Sequence, residues 1–228
     1  MKASGVIAFV TVYLGIAPLP GLCADLSGRI IVTKKLGKKK VILPAYSLRG
    51  AAPALDESHL GSDADNVAVF LEGQLPGPDR PLRAELEQHG QRFEPQLLVV
   101  PVGSTVSFPN ADPIFHNVFS LSGAKKFDLG YYPAGQTRTV KFDEPGVVQV
   151  YCHLHPNMYA AIVVTPNRWH TKPSDDGTFS FHDVPPGTYT LVAWHMNAGF
   201  FRTEVRVTGA GSGEVVVMIP YREGDRHH

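Results

Sequence analysis

Cysteine is nearly absent: the 228 residues contain two, Cys23 and Cys152, beside four methionines and two tryptophans. Two cysteines cannot build the disulfide framework that staples small secreted domains. No apolar run is long enough to cross a bilayer as a helix, which takes roughly 20 residues. Excess charge of either sign is also missing, with 21 basic and 21 acidic side chains. That balance argues against nucleic acid or an anionic membrane as the main partner.

The chain opens Met1-Lys2, runs apolar from Val6 to Ile16, and reaches Leu22-Cys23-Ala24. A basic start, a short apolar stretch and a small residue at Ala24 read as a signal peptide over residues 1–24, so the mature chain is expected to be periplasmic or otherwise exported. A lipoprotein signal ending at Cys23 is the competing reading, and Leu22 is too bulky for that cleavage. Cutting after Ala24 leaves Cys152 as the sole cysteine of an exported protein, where a free thiol is a liability. Two readings of Cys152 stand side by side: a buried, inert cysteine, or a ligand to a soft metal.

What is plentiful is turn chemistry and β-branched segments. With 19 prolines and 22 glycines between short apolar runs, the composition predicts an all-β protein. Strands are expected at Leu26–Thr33 and Lys40–Leu43, then at 66–73, 96–101 and 105–109. More follow at 116–120, 126–129, 137–142, 147–151 and 160–165. Past Thr165 the pattern changes, with strands expected at 177–181, 188–195, 201–207 and 214–219. Residues 45–66 read as a loop, and 74–92 as a loop with a little helix. His59 and His89 sit in these loops without ligand-type neighbours and read as surface residues. Lys34, Lys35, Lys38, Lys39 and Lys40 crowd around Gly37 as a solvated hairpin tip or a docking patch. Residues 221–228 form a charged tail, where His227 and His228 are weak evidence for metal.

The chemistry concentrates in Tyr151-Cys152-His153-Leu154-His155-Pro156-Asn157-Met158. A thiolate, an imidazole and a thioether fall within seven residues, on a loop between two predicted strands. A thiolate, two imidazoles and a weak axial methionine suit a copper centre that exchanges single electrons. The loop supplies Cys152, His155 and Met158, and His116 in Asp112-Pro113-Ile114-Phe115-His116-Asn117 is the candidate for the second imidazole.

Two segments resemble known families. Residues 93–165 resemble cupredoxins, above all amicyanin and the plastocyanin-like proteins of methylamine-utilisation type. The matching residues are Val100–Asn110, His116-Asn117-Val118 and Cys152-x-x-His155-Pro156-x-Met158. The resemblance implies a Greek-key sandwich and one type-1 copper site. His116, Cys152 and His155 would be equatorial ligands and Met158 the axial one. Around them, Asn117 would hydrogen-bond the two ligand segments together and Pro156 would stiffen the loop. Residues 176–191 resemble carboxypeptidase regulatory-like sandwich domains. Such domains usually begin with strands like Leu26–Thr33 and Val67–Leu71, so one small β-sandwich is expected to be split around the cupredoxin. Residues 25–92 and 167–220 would form the regulatory-like sandwich, and 93–166 the cupredoxin domain.

His153 departs from the amicyanin pattern. In multicopper oxidases, histidines flanking the cysteine pass electrons to further copper. Here Tyr151 takes the other flank and no paired His-x-His motifs occur elsewhere, so His153 reads as a residue beside the site. A second metal would need His170, His182 or His195 close to it. The single cysteine also excludes a binuclear thiolate-bridged centre. The expected function is a blue copper protein shuttling electrons between redox protein partners, docking through the copper edge or the Lys34–Lys40 patch, and not an enzyme. Copper delivery with the same ligands is the alternative. Intact-mass analysis of the exported protein is expected to find Asp25 at the N-terminus; a product still carrying residues 1–24 would contradict the cleavage.

Overall fold

The computed structural model describes residues 23–34, 63–73, 75, 80–209 and 213–221. The predicted signal segment up to residue 22, the predicted strand Lys40–Leu43, most of the lysine cluster, His59 and the tail histidines lie outside them. Strand β1 (Ala24–Lys34) is followed by a 3-10 turn at Asp63–Asn66 and by β2 (Val67–Glu72). Ten strands come next: β3 (Arg83–Glu85), β4 (Glu87–His89), β5 (Arg92–Glu94), β6 (Leu97–Pro101), β7 (Ser104–Pro109), β8 (His116–Ser122), β9 (Lys125–Tyr132), β10 (Thr137–Phe142), β11 (Gly146–Tyr151) and β12 (Tyr159–Thr165). Five close the chain: β13 (His170–Thr171), β14 (Thr178–Val184), β15 (Gly187–His195), β16 (Gly199–Val207) and β17 (Val215–Tyr221).

The helix expected within 74–92 is absent from the described residues. Short strands β3, β4 and β5 stand there instead, with β3 running parallel to β7 from Arg83↔Thr105 to Glu85↔Ser107. The Leu/Glu composition is overridden because Ala84 and Leu86 pack onto an existing apolar core, which rewards extended chain at a sheet edge.

Four sheets stack face to face. The order β10-β7-β3 faces β6-β12-β11-β8-β9, and the order β13-β2-β15-β16 faces β14-β1-β17. Strands β1 and β2 come early in the chain and pair with late ones. β1 lies between β14 and β17, and β2 between β13 and β15. The strands before residue 73 therefore complete sheets whose other members begin at residue 170 or later.

Side-chain alternation explains why the middle strands read as unbroken apolar runs. On β2, Val67, Val69 and Leu71 face the core shared with β1 and β17, including Leu26, Ile30 and Ile219. The intervening Ala68 and Phe70 face the opposite way, onto Leu97, Ala161 and Val163 of the five-stranded sheet. β12 shows the same division, with Ala160, Ile162 and Val164 in the core that also holds Cys152 and Met158. Sheets covered on both faces need both sets of side chains to be apolar.

A buried clasp joins the two sandwiches where β12 ends. Asn167 donates through Nδ2 to the carbonyls of Leu71 (2.8 Å) and Gly73 (2.9 Å), and its Oδ1 accepts the Trp169 N–H (3.0 Å). The Asn167→Ala variant loses all three bonds and leaves buried backbone groups unpaired, at a cost of about 3 kcal/mol. Urea denaturation of the full chain is the measurement. A midpoint unchanged from the parent would show that the clasp contributes nothing.

Candidate metal centre

The loop between β11 and β12 is pinned by its own backbone. The Met158 N–H donates to the His155 carbonyl (2.9 Å), and the Cys152 N–H to the Met158 carbonyl (3.3 Å). His155–Met158 is thus a four-residue turn with Pro156 at its second position, where a fixed φ preorganises the bend. The loop delivers Cys152 and Met158 into the core and leaves His155 half-buried.

His116 arrives from the other direction, as the fully buried first residue of β8. Its Nδ1 lies 3.1 Å from Nδ1 of His155. The Cys152 Sγ lies 3.9 Å from the first nitrogen and 3.7 Å from the second. A point equidistant from the three atoms is about 2.1 Å from each, which matches metal–nitrogen bonds of ~2.0–2.1 Å and approaches metal–sulfur bonds of ~2.3 Å. The donor set fits a thiolate- and imidazole-binding metal. Among the described residues, this is the only group of three or more histidine, cysteine or carboxylate side chains close enough to share an ion. Met158 is buried in the same core cluster as Cys152.

The residue that sequence reasoning passed over is Asp112. Its Oδ2 accepts the Nε2–H of His116 at 2.7 Å, which turns the lone pair of Nδ1 toward the thiolate. The carboxylate is itself held by two backbone donors, Gly90 N–H to Oδ1 (2.7 Å) and Gln91 N–H to Oδ2 (2.8 Å). Both donors sit at positive φ, 59° and 57°, in the two-residue turn between β4 and β5. The turn geometry aims the amides at Asp112. Buried Asn110 completes the support: its Oδ1 accepts the Asp112 N–H, and its Nδ2 donates to the carbonyls of Ile114 and Tyr132. The available signal was an Asp four residues before a candidate ligand histidine.

Burial pushes the Asp112 carboxyl upward, but the Gln91 amide, the His116 ring and the Gly90 amide outweigh it and hold the group below its ordinary value. Its stabilising contribution is therefore present above the ordinary carboxylate range and lost as pH falls through the lowered value. Burial also pushes the Tyr132 hydroxyl, which donates to the Phe108 carbonyl, up to about 12.

One expectation needs correction. Asn117 does not tie the ligand segments together by its side chain. Its Nδ2 donates to Asp128 Oδ1 (2.7 Å) on β9, and its buried Oδ1 has no hydrogen-bond partner. The β-bulge between Asn117 and Phe119 shifts the register there and directs the side chain to β9 rather than to the loop. Among the described residues, no group of three or more potential metal ligands includes His153. His153 stacks on Phe119, while His170, His182 and His195 belong to β13, β14 and β15 of the other sandwich. His89 ends β4 as an exposed residue.

Removing the Asp112 carboxylate frees the His116 ring to turn. Asp112→Ala is expected to weaken metal affinity by about 10–100-fold, read by competition titration against a chelator. Unchanged affinity would show that packing alone orients the ring.

Residues 82–165 match the family model described as copper binding proteins, plastocyanin/azurin family. Residues 154–223 match the ER membrane protein complex subunit 7, beta-sandwich domain. That is a different β-sandwich family from the carboxypeptidase regulatory-like domains that residues 176–191 resemble. Amicyanin-alpha of Methylorubrum extorquens is 32% identical over 76 residues, 32% of this chain; the chain spans 64% of that relative's length. Among solved structures, a purple cupredoxin from Nitrosopumilus maritimus is 26% identical (36% of this chain, 99% of that one, TM-score 0.33). A copper-containing nitrite reductase from Thermus scotoductus is 25% identical (43% and 26%, TM-score 0.37). Residues 82–165 are thus similar to the copper binding proteins of the plastocyanin/azurin family, and they bring His116, Cys152 and His155 together in a chain that also carries a second β-sandwich.

Proposed function

We propose that the chain is an exported type-1 copper protein that carries single electrons between redox proteins, with His116, Cys152 and His155 in the equatorial plane and Met158 axial. The observation that carries this reading is the triangle of Nδ1, Nδ1 and Sγ, sized for one metal ion and closed off from solvent on the His116 and Cys152 sides. Bound copper supplies one-electron chemistry. The residues supply a site that holds its shape: His116 is fixed by Asp112, and Cys152 and Met158 are fixed by the loop's backbone bonds. Rigid ligands keep the rearrangement on electron transfer small.

His155 is the ligand nearest solvent, and exposed Ile114, Phe115 and Leu154 lie beside the two ligand segments. This apolar rim is the copper-edge docking surface, with the Lys34–Lys40 cluster as a further contact for an acidic partner. Delivery of copper would use the same ligands but needs faster metal exchange than this burial favours. The second sandwich, formed by β1, β2 and β13 to β17 from both sides of the 82–165 segment, is a scaffold that fixes the orientation of the copper-binding segment.

The copper-loaded, oxidised protein is expected to show an intense thiolate-to-copper band near about 600 nm and to lose it in Cys152→Ser. A pale protein with an ordinary square-planar copper resonance spectrum would overturn the carrier reading in favour of copper delivery.

A further inference from the structure

The second sandwich packs on the outer face of the five-stranded sheet, where Val147 of β11 and Val163 of β12 lie against Phe70, Val192 and Trp194. Beside this contact the facing sheets leave a cleft of about 280 Å³. Phe70 and Phe200 line it from the second sandwich, and Val147, Val163, Pro145 and Pro166 from the opposite side. Phe200 lies on the edge strand β16 and is 47% exposed, although its cross-strand partner Trp194 is buried. Among the lining side chains only Glu72 and Arg202 are polar. They reach toward each other across β15, Glu72 from opposite Thr190 and Arg202 from opposite Val192. Arg202 Nε donates to both Glu72 carboxylate oxygens (3.4 and 3.2 Å), and its Nη2 to Oε1 (3.2 Å). The same guanidinium lies over the Phe200 ring, 4.9 Å from its centroid. An ion pair fixed by both a carboxylate and a ring thus stands half-exposed beside an apolar cleft.

We propose that this cleft is a binding site for a small neutral phenol, with the ring between Phe200 and the valines and the hydroxyl on the Glu72–Arg202 pair. Ligand sites favour such junctions between packed units, with apolar walls and a few polar groups that set orientation. An apolar cavity of about 150 Å³ holds one benzene ring, so this cleft has room for a ring with a short substituent. Water against these walls finds hydrogen-bond partners only at the ion pair, and replacing poorly held water by an apolar group gains affinity. The pair also selects the polar end of the ligand. A carboxylate would have to displace Glu72 from Arg202, and an ammonium would have to displace Arg202 from Glu72. A hydroxyl donates to the carboxylate and accepts from the guanidinium while both keep their partner. The cleft lies at the Val147–Val163 end of β11 and β12, and the Cys152–Met158 loop joins their other end. Binding here is therefore independent of the metal. Because the walls come from both sandwiches, a bound ligand ties them together and stabilises their packing by mass action.

The probe is 4-ethylphenol, titrated into the full chain with and without copper and followed by NMR. Saturable shifts are expected at Val147, Val163, Phe70 and Phe200, with the same affinity in both metal states. Ethylbenzene and 4-ethylbenzoate are each expected to bind about tenfold more weakly, the effect of a hydrogen bond to a charged group. Val147→Phe fills the cleft and is expected to abolish binding. Phe200→Ser, at an exposed position that folding tolerates, removes one wall and is expected to weaken binding about tenfold. Replacing the pair together, Glu72→Leu with Arg202→Met, is expected to bring the phenol and ethylbenzene within about twofold of each other. No saturable shift at the lining residues, or binding unchanged in Phe200→Ser, would overturn the site. Ethylbenzene or 4-ethylbenzoate binding as tightly as the phenol would overturn the assigned ligand class.

Discussion

The hydrogen bond from His116 Nε2–H to Asp112 is the contact on which the candidate centre depends. A histidine can present either nitrogen, and only one choice lets His116 Nδ1 meet His155 Nδ1 and the Cys152 sulfur around one point. The bond makes that choice before any ion arrives. It works because the carboxylate cannot swing away, being held by amides from the β4–β5 turn and by the Asn110 network. A short hairpin distant in sequence from both ligand segments thus sets the direction of a ligand lone pair. Preorganisation of this kind is what separates a site that keeps its geometry from three donors that merely lie close.

A second constraint is the sharing of one sheet by two cores. The five-stranded sheet packs Ala160, Ile162 and Val164 toward the metal side, and Ala161 and Val163 toward the second sandwich. β11 and β12, which flank the Cys152–Met158 loop, are therefore packed on both faces along much of their length. The loop emerges from strands packed on both faces, and the open aromatic end of the sheet, Tyr151 and Tyr159, lies next to it. Attachment of a second sandwich leaves the metal core intact while dividing the outer face into a covered and an open half.

The all-β class, most strand positions from 96 onward and the candidate ligand types of the Cys152 loop were legible in the sequence. Strand periodicity and ligand spacing are local properties, and a Cys-x-x-His-x-x-Met loop states its own chemistry. The short strands β3 to β5 were not legible, because their extended form comes from packing at a sheet edge against a core assembled from elsewhere. Asp112 was passed over for the same reason. Its two amide donors come from Gly90 and Gln91, whose direction depends on a tight turn that folds against the 110–116 segment. The side chain of Asn117 went to Asp128 because a bulge, invisible in the pattern of residues, changed which strand it faces.

By itself, then, the sequence determined the donor types, their order and the β-class of the scaffold, since these follow from side-chain chemistry and from a repeat of two. Only the tertiary structure decided which imidazole nitrogen faces the thiolate, that His153 lies flat on Phe119, and that strands on either side of residues 82–165 share their sheets. Each of these depends on pairings between residues far apart in the chain, and local preference carries no information about which distant strand will supply the partner.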